Sequence, residues 1–372
     1  MYGSRALAVL LALLAAATGT AAAHVRYVTP GSEPVAVAEF LAAALSEPFN
    51  LAVLAAGAGT LVAGGLVYRR VRPFPADVAA FRAAMREYDD LVPWLLRLSL
   101  GLPLVGAGFS GYLFSPAFEP AAPTFVRLFG ITTGFLLLFG LATRVVAACG
   151  LGAYLAALAL QPGLLLAVEY VPGFLAILLL GAGRPSADHV LSRLATDDRT
   201  VYSRLDPVYR RLALPVAARL RPYRAAVPVV VRVGLGVAFV YLGVSQKLMN
   251  PGDALAVVDK YALTGLVPVA PELWVVGAGL TEALVGVVLL AGAFTRAAAG
   301  VAILLFTTTL FGLPDDPVLA HVSLFGLASA LMITGAGPHS VDARVASDST
   351  TAPPTRPESD PDVEADATVT DD

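Results

Sequence analysis

Two ionisable side chains lie inside apolar stretches of the C-terminal half, where charge is expensive and polar groups are candidates for chemistry. Glu282 lies about ten residues into one such stretch, and Arg232 about five residues into another. A carboxylate near the bilayer midplane must be paired or protonated, and Arg232 is within side-chain reach. We predict an Arg232–Glu282 pair. Both roles stay open for it, a structural ion pair or a catalytic pair that handles a substrate or a proton.

A second pair of candidates is expected near the outer membrane surface. Lys247 ends one apolar stretch, and His321 lies about four residues into another. Together they could bind an anion or a polar headgroup, because histidine titrates near neutrality and can exchange protons. The alternatives are a lysine that snorkels to the interface and a satisfied interfacial histidine. We take both residues as candidate substrate-binding residues.

The elements that must position these residues are membrane-spanning helices. The 372 residues are 57% hydrophobic and only 14% charged, with a mean hydropathy of +0.74. Soluble domains carry roughly 25% charged residues. Nine stretches are apolar and long enough to cross a bilayer. They lie at 49–68, 94–114, 124–141, 144–160, 163–181, 227–247, 272–292, 295–313 and 317–335.

Arginine placement predicts the orientation, because Lys and Arg are retained on the cytoplasmic side of short loops. The loop from Arg184 to Arg224 carries nine arginines and is expected inside, as is the C-terminus. Residues 1–23 have the form of a signal peptide, with an uncleaved signal anchor as the alternative. Residues 24–48 are then extracellular in a multi-pass protein of the cell membrane. The tail, 346–372, is acidic and expected to be disordered.

Three blocks of residues recur in the same order, which indicates an internal duplication. Each four-span copy enters and leaves on the same side, so the two copies are parallel. We predict an all-α polytopic protein of two tandem four-helix bundles plus one extra N-terminal transmembrane helix. The blocks are Arg97-x3-Gly101-x6-Gly108-x-Ser110 with Arg232-x3-Gly236-x6-Gly243-x-Ser245, Gly134-x5-Gly140-x2-Thr143-Arg144 with Gly286-x5-Gly292-x2-Thr295-Arg296, and Gly181-Ala182-Gly183-x2-Ser186-x-Asp188 with Gly335-Ala336-Gly337-x2-Ser340-x-Asp342.

These boundaries divide the chain into six parts. They are the leader at 1–23, an exported segment with one span and a cytoplasmic linker at 24–92, repeat 1 at 93–190, an arginine-rich cytoplasmic linker at 191–226, repeat 2 at 227–345, and the tail at 346–372.

The blocks of repeat 2, with Lys247 and Glu282, resemble the DoxX family of membrane proteins. Repeat 1 departs from the pattern, with Tyr112 where the lysine falls and Gly130 where the glutamate falls. The resemblance implies redox work near a quinone, whose headgroup Lys247 and His321 could bind. It suggests an accessory subunit of a membrane redox assembly. A small-molecule or ion transporter, or a scaffold without chemistry, is the alternative, and whether the chain is an enzyme stays open.

The residue inventory limits cofactors and partners. One cysteine, Cys149, excludes a disulfide and an iron–sulfur cluster, and His321 alone cannot make a bis-histidine haem site. We expect no metal and no covalently bound cofactor, with a freely exchanging quinone as the candidate. The expected partners are the lipid bilayer and a redox subunit, without nucleic acid, and an oligomer stays open.

Four further charged positions have structural interpretations. Arg144 and Arg296 follow Gly-x2-Thr at helix ends expected inside, and are predicted to be anchors at the membrane surface. Glu169 and Arg127 both lie inside spans of repeat 1 and are predicted to compensate each other.

Overall fold

The computed structural model describes residues 34–71, 73–116, 122–206 and 208–350. Over these ranges the chain is helical, and its only β-structure is an isolated bridge between Leu113 and Ser115. The leader at 1–23, most of the exported segment and the tail from 351 onward lie outside the described residues.

The N-terminal part contributes three helices before the first bundle. Pro at the first helical position begins two of them, a place where its missing N–H costs nothing. They are α1 (Val37–Ser46), α2 (Pro48–Val71) and α3 (Pro75–Arg86).

The first bundle has four helices, three of them ended by a glycine with positive φ. Short helices of the linker between the bundles follow it. The bundle comprises α4 (Val92–Ser110), α5 (Pro123–Phe139), α6 (Thr143–Leu160) and α7 (Tyr170–Leu180), and the linker comprises α8 (Ala187–Thr196), α9 (Val201–Leu205), a π-helical turn (Tyr209–Ala213) and α10 (Leu214–Leu220).

The second bundle has the same order with one added helix after its first. It comprises α11 (Val227–Tyr241) continued by a π-helical segment (Leu242–Leu248), the added α12 (Pro251–Lys260), α13 (Pro271–Ala291), α14 (Thr295–Gly312) and α15 (Val318–Thr334), and α16 (Val341–Thr350) follows it.

Each of the nine predicted spans coincides with a helix or a helical pair. Six segments are long and apolar enough to cross a bilayer, namely Pro48–Tyr68, Asp89–Ser110, Thr143–Leu160, Tyr209–Leu248, Pro271–Ala291 and Thr295–Gly312. The other three, α5, α7 and α15, are apolar but have 17, 11 and 17 residues. Shorter helices suit an interior place in the bundle, and α7 gains length from the 3₁₀ segment Pro162–Ala167 before it. The chain is an all-α, multi-pass membrane protein.

Glycines let the first and second helices of each bundle touch backbone to backbone. In the second bundle, a Cβ on Gly286 would lie 2.6 Å from the Gly236 carbonyl oxygen. In the first, a Cβ on Gly134 would lie 2.7 Å from the Gly101 carbonyl oxygen. Small residues at such crossings replace the hydrophobic driving force that lipid does not supply. The two helix pairs therefore pack in the same way.

The two bundles contact each other in two places. In each place the first helix of one bundle packs against the last helix of the other. Helix α4 packs against α15, and α11 packs against α7. A Cβ on Gly326 would meet the Ser99 side chain, and one on Gly234 would meet the Pro172 side chain. Ser99 and Gly234 are 135 positions apart, which is the spacing of the first sequence block. The contact thus has the form expected around a pseudo-two-fold axis.

Helices α1 and α2 lie against the outside of the second bundle. Phe40 and Ala44 of α1 share an apolar cluster with α12 and α13. No residue in the hydrophobic window of α2 is buried, so this helix presents its surface to lipid. At its other end the Tyr68 and Phe294 rings lie 5.2 Å apart. The loops and helix ends predicted to be cytoplasmic lie at this end of the protein. The orientation of this end relative to the cell stays a prediction.

Close glycine packing predicts that two Gly→Ala substitutions in α13 differ in their effect on stability. Gly286→Ala places a methyl group against the Gly236 carbonyl oxygen and should lower the free energy of unfolding by about 1–3 kcal/mol. Gly277→Ala is the matched control, because nothing lies within 4 Å of its added Cβ. Thermal unfolding of both variants in one detergent measures the difference, and equal melting temperatures would contradict the packing argument.

Candidate functional site

The buried Arg232 binds backbone oxygens and does not pair with Glu282. Its Nε donates to Ala336 O at 3.0 Å and its Nη2 to His339 O at 2.7 Å. Its Nη1 donates to Leu290 O at 2.6 Å, at the C-terminal end of α13. Eight residues separate Leu290 from Glu282, about 12 Å along the helix. The predicted Arg232–Glu282 pair is therefore wrong, because the free carbonyls of a helix end are nearer acceptors.

Arg97 makes the corresponding Nη1 and Nη2 contacts in the first bundle, while its buried Nε has no hydrogen-bond partner among the described residues. Its Nη1 donates to Leu137 O at 3.3 Å, at the end of α5, and its Nη2 donates to Pro185 O. Like Arg232, it is almost completely buried. We call Arg97 and Arg232, with the carbonyls that each binds, the arginine clamps. Each clamp joins the first, second and last helices of its bundle at the end expected inside.

Two aspartates complete this end of the bundles. Asp188 accepts hydrogen bonds from Ala142 N at 2.8 Å and Thr143 N at 2.9 Å, at the start of α6. Asp342 does the same at the start of α14, with 2.7 Å to Phe294 N and 2.9 Å to Thr295 N. Carboxylates there satisfy the free amides of a helix N-terminus and complement its dipole.

Arg144 and Arg296 also bind helix ends. Arg144 Nε donates to Leu178 O at 3.0 Å, and Arg296 Nε donates to Met332 O at 2.9 Å. These carbonyls end α7 and α15. The arginines therefore hold the third and fourth helices of each bundle together, a more specific role than the predicted surface anchor.

The predicted compensation of Glu169 by Arg127 is wrong. Arg127 is exposed and donates to Phe109 O at 3.1 Å. The buried Glu169 accepts from Ser323 Oγ of α15 at 3.2 Å. It borders a cavity of about 20 Å³ beside Tyr112 and Tyr170, which has room for roughly one water molecule.

The carboxylate that pairs with a cation in the second bundle is Glu282, and its partner is Lys247. Lys247 Nζ lies 2.6 Å from Glu282 Oε2. The two side chains are 26% and 19% exposed, so neither is sealed in the protein interior. Glu282 lies near the middle of the 21-residue α13. The pair therefore presents charge at membrane depth, within reach of the surrounding lipid.

Local backbone geometry brings this pair together. Lys247 lies in the π-helical segment that continues α11, a rare form that is frequent at functional sites. A Cβ on Gly279 would lie 2.9 Å from the Gly243 carbonyl oxygen, so α11 and α13 are in backbone contact one turn from the pair. Asn250 Nδ2 donates to Ser245 O at 2.6 Å and closes the end of the segment.

Asp316 and His321 form a second, more buried pair next to Lys247. Their side chains are each 7% exposed, with 3.6 Å between His321 Nε2 and Asp316 Oδ2. Burial raises the pKa of Asp316, while the nearby charges of His321 and Lys247 lower it, and burial has the larger effect. Asp316 Oδ1 has no hydrogen-bond partner among the described residues. Lys247 thus lies within electrostatic reach of both pairs.

Aromatic rings and an exposed ion pair surround these groups. Phe306 lies edge-on to the His321 ring, with centroids 6.2 Å apart, and stacks on Phe239 at 5.2 Å. Lys260 Nζ lies 2.8 Å from Asp315 Oδ2 at the solvent side. Hydrogen bonds from Lys260 and Tyr261 lower the pKa of Asp315.

We define the charged site as Lys247, Glu282, Asp316 and His321. Lys247 can donate a hydrogen bond to a carbonyl or anionic oxygen of a ligand, while Asp316 and His321 can exchange protons with that ligand. Within the described residues, no group of three or more His, Cys, Asp or Glu side chains could hold a metal ion. The catalytic role of Glu282 and Arg232 and the substrate-binding role of Lys247 and His321 stay predictions.

Sequence reasoning missed Asp316. Its signal was present, since an Asp-Asp-Pro loop lies directly before the span that carries His321. The first bundle has no equivalent of the ion pair, because Tyr112 and Gly130 occupy the positions of Lys247 and Glu282.

Helix content and membrane-length apolar segments define the chain as an integral, multi-pass α-helical membrane protein. The family model named DoxX matches residues 227–314, so this part of the chain is similar to the DoxX family. The match contains Arg232, Lys247 and Glu282 and ends two residues before Asp316. No curated protein and no solved structure matches the chain.

Removing one partner of the Lys247–Glu282 pair should cost more than removing both charges. Lys247→Gln and Glu282→Gln each leave an unpaired charge, which should lower the unfolding free energy by about 1–3 kcal/mol at this partial burial. The double variant should lose less than the sum. A double-mutant cycle in detergent measures the coupling, with the exposed Lys260–Asp315 pair as control, expected below about 1 kcal/mol. Additive losses at Lys247 and Glu282 would contradict the pairing.

The raised pKa of Asp316 predicts a pH dependence of stability. The native state holds the Asp316 proton more tightly than the unfolded state does. This contribution is fully present below the ordinary pKa of 3.8 and is lost as the pH rises through the raised native value. Melting temperatures measured over a pH series should therefore fall as the pH rises through that value. Asp316→Asn should remove this fall. An unchanged pH profile in the variant would contradict the assignment.

Proposed function

We propose that the chain is an accessory subunit of a membrane redox assembly that binds a quinone at the charged site. The observation that carries this proposal is the Lys247–Glu282 pair, which is partly exposed at membrane depth. Ionisable groups in such a place are costly and are retained for substrate or proton handling. A ligand that reaches the pair through the lipid must itself be membrane-soluble.

The chemistry of the site suits a quinone headgroup. Its carbonyl oxygens can accept a hydrogen bond from the Lys247 ammonium, which Glu282 orients. Asp316 and His321 lie beside Lys247 and can supply or accept the protons that accompany quinone reduction. The electrons come from a partner subunit, because the chain offers no ligand set for a haem or an iron–sulfur cluster.

We further propose that the two bundles arose by duplication and that only the second retained the site. The matching arginine clamps and aspartate caps support a common origin. Their role is architectural, so they are kept in both bundles. The ion pair occurs only in the second bundle, as expected for a ligand site that one copy is enough to provide.

Tryptophan fluorescence can test quinone binding, because Trp274 precedes Glu282 by eight residues, about 12 Å along α13. The Trp94→Phe variant keeps Trp274 as the reporter. In nanodiscs, a short-chain benzoquinone should quench it saturably. Adding Glu282→Gln should weaken the apparent affinity about tenfold, since a hydrogen bond to a charged group contributes about 1.5–3 kcal/mol.

Two controls separate binding from partitioning into lipid. Asp315→Asn alters only the exposed pair and should leave the quenching curve unchanged. Trp274→Phe keeps Trp94, at the opposite end of the bundles, and should show only linear quenching. Linear quenching of Trp274 that Glu282→Gln does not alter would refute the proposal. Substrate flux through proteoliposomes that this variant abolishes would instead favour a transporter.

A further inference from the structure

The linker between the two bundles carries an exposed stripe that neither bundle covers. Its apolar side chains are strongly exposed, with 74% for Leu205 and 61% for Leu212. On either side of residue 207 the first three positions follow the spacing i, i+3 and i+4, which places them on one face of each short helical segment. We call this surface the linker stripe, and it consists of Val201, Arg204, Leu205, Val208, Arg211, Leu212 and Arg219.

The opposite face of the linker packs on the protein, which fixes the direction of the stripe. Tyr209 Oη donates to Asp188 O at 2.7 Å on that face. Arg204 and Leu205 line an open concave surface together with Arg211 of the π-helical turn. The parts of the stripe on either side of residue 207 therefore face the same space.

The charge of the stripe is positive. Arg204, Arg211 and Arg219 are exposed and have no carboxylate within 4.0 Å among the described residues. The nearby Asp206 accepts hydrogen bonds from Val208 N at 2.9 Å and Tyr209 N at 3.0 Å and is engaged as a helix cap. Exposed guanidinium groups beside exposed leucines are complementary to a binding surface that is both anionic and apolar.

The position of the linker favours a membrane over a protein as that surface. Helix α11, which follows the linker through the 3₁₀ segment Arg221–Ala226, enters the bilayer at Val227. Arg224 Nη2 donates to Leu180 O at 3.0 Å and ties the linker to the end of α7. The stripe thus lies close to the level where two spans leave the lipid. Basic amphipathic helices at that level lie in the headgroup region and bind anionic lipids.

We infer that the linker stripe is a binding site for anionic phospholipids of the membrane leaflet at this end of the protein. The arginines bind headgroup phosphates, and the Val and Leu side chains enter the acyl boundary. This inference is independent of the proposed quinone site, which lies at the other end of the bundles.

An environment-sensitive fluorophore on the stripe tests the inference with the full chain. Cys149→Ala removes the natural cysteine, and Leu212→Cys provides a labelling position on the stripe. In nanodiscs containing phosphatidylglycerol the label should shift to the blue and be quenched by brominated lipid. Asp198→Cys is the matched control, an exposed linker position off the stripe that should stay water-exposed.

Charge variants separate headgroup binding from simple apolar contact. Each arginine near an anionic surface strengthens binding on the order of fivefold, so Arg204→Gln with Arg211→Gln and Arg219→Gln should abolish the preference for anionic over neutral lipid. Arg193→Gln with Arg199→Gln, off the stripe, should not. Inorganic phosphate added to nanodiscs of neutral lipid should not produce the blue shift.

Three results would overturn the inference. They are a label at position 212 that stays in water with anionic lipid, an equal shift in neutral and anionic nanodiscs, and a shift that appears only when a soluble partner protein is added. The last result would assign the stripe to protein docking.

Discussion

The architecture depends on buried guanidinium groups that bind the free carbonyls of helix ends. In a bilayer, the last carbonyls of a helix cannot rely on water, and every backbone group must find a partner within the protein. Arg232, on α11, reaches two separate chain segments, the end of α13 and the loop after α15 that contains Ala336 and His339, and so fixes the positions of three helices relative to one another. A lysine could not do so, because only the planar guanidinium presents five donors in a fixed fork. Positive-φ glycines at 140 and 292 turn the chain tightly enough for the arginine to approach.

This constraint explains why the two bundles share one end and differ at the other. The clamps at Arg97 and Arg232 match in the acceptors of Nη1 and Nη2, although only Arg232 also donates through Nε. The caps at Asp188 and Asp342 bind backbone amides at corresponding helix starts. At the opposite end, Tyr112 and Gly130 leave the first bundle without an equivalent ion pair, whereas Lys247 and Glu282 form one in the second. An ion pair is dispensable for packing, since glycine contacts already hold α4 to α5 and α11 to α13. Its retention in one bundle is the reason to look for a ligand there.

The charged site also shows how a helix defect can serve a site. An unbroken α-helix through residues 242–248 would turn successive side chains by 100° each, and the wider π-helical turn changes which of them faces α13. Lys247 therefore meets Glu282 while remaining within electrostatic reach of Asp316. The added helix α12 and α1 cover this end of the bundle with an apolar cluster that includes Phe40 and Val258. The Lys247–Glu282 pair stays partly exposed, whereas the Phe239 and Phe306 side chains near His321 are buried.

The sequence by itself determined the all-α, multi-pass class and the DoxX resemblance, because hydropathy and motif spacing are read directly from the chain. It also singled out Arg232, Lys247, Glu282 and His321 as ionisable groups in or beside apolar stretches, and their functional roles stay predictions. The sequence could not determine which side chains and backbone groups pair with one another. Depth along a helix suggested that Arg232 meets Glu282, but backbone carbonyls have no sequence signature, and those at Leu290 and His339 are nearer. The same limit applies to Glu169, which binds Ser323 of the other bundle in place of Arg127. Tertiary structure alone decided these pairings, because which charge meets which acceptor depends on helix ends, crossing contacts and a π-helical turn that only packing brings together.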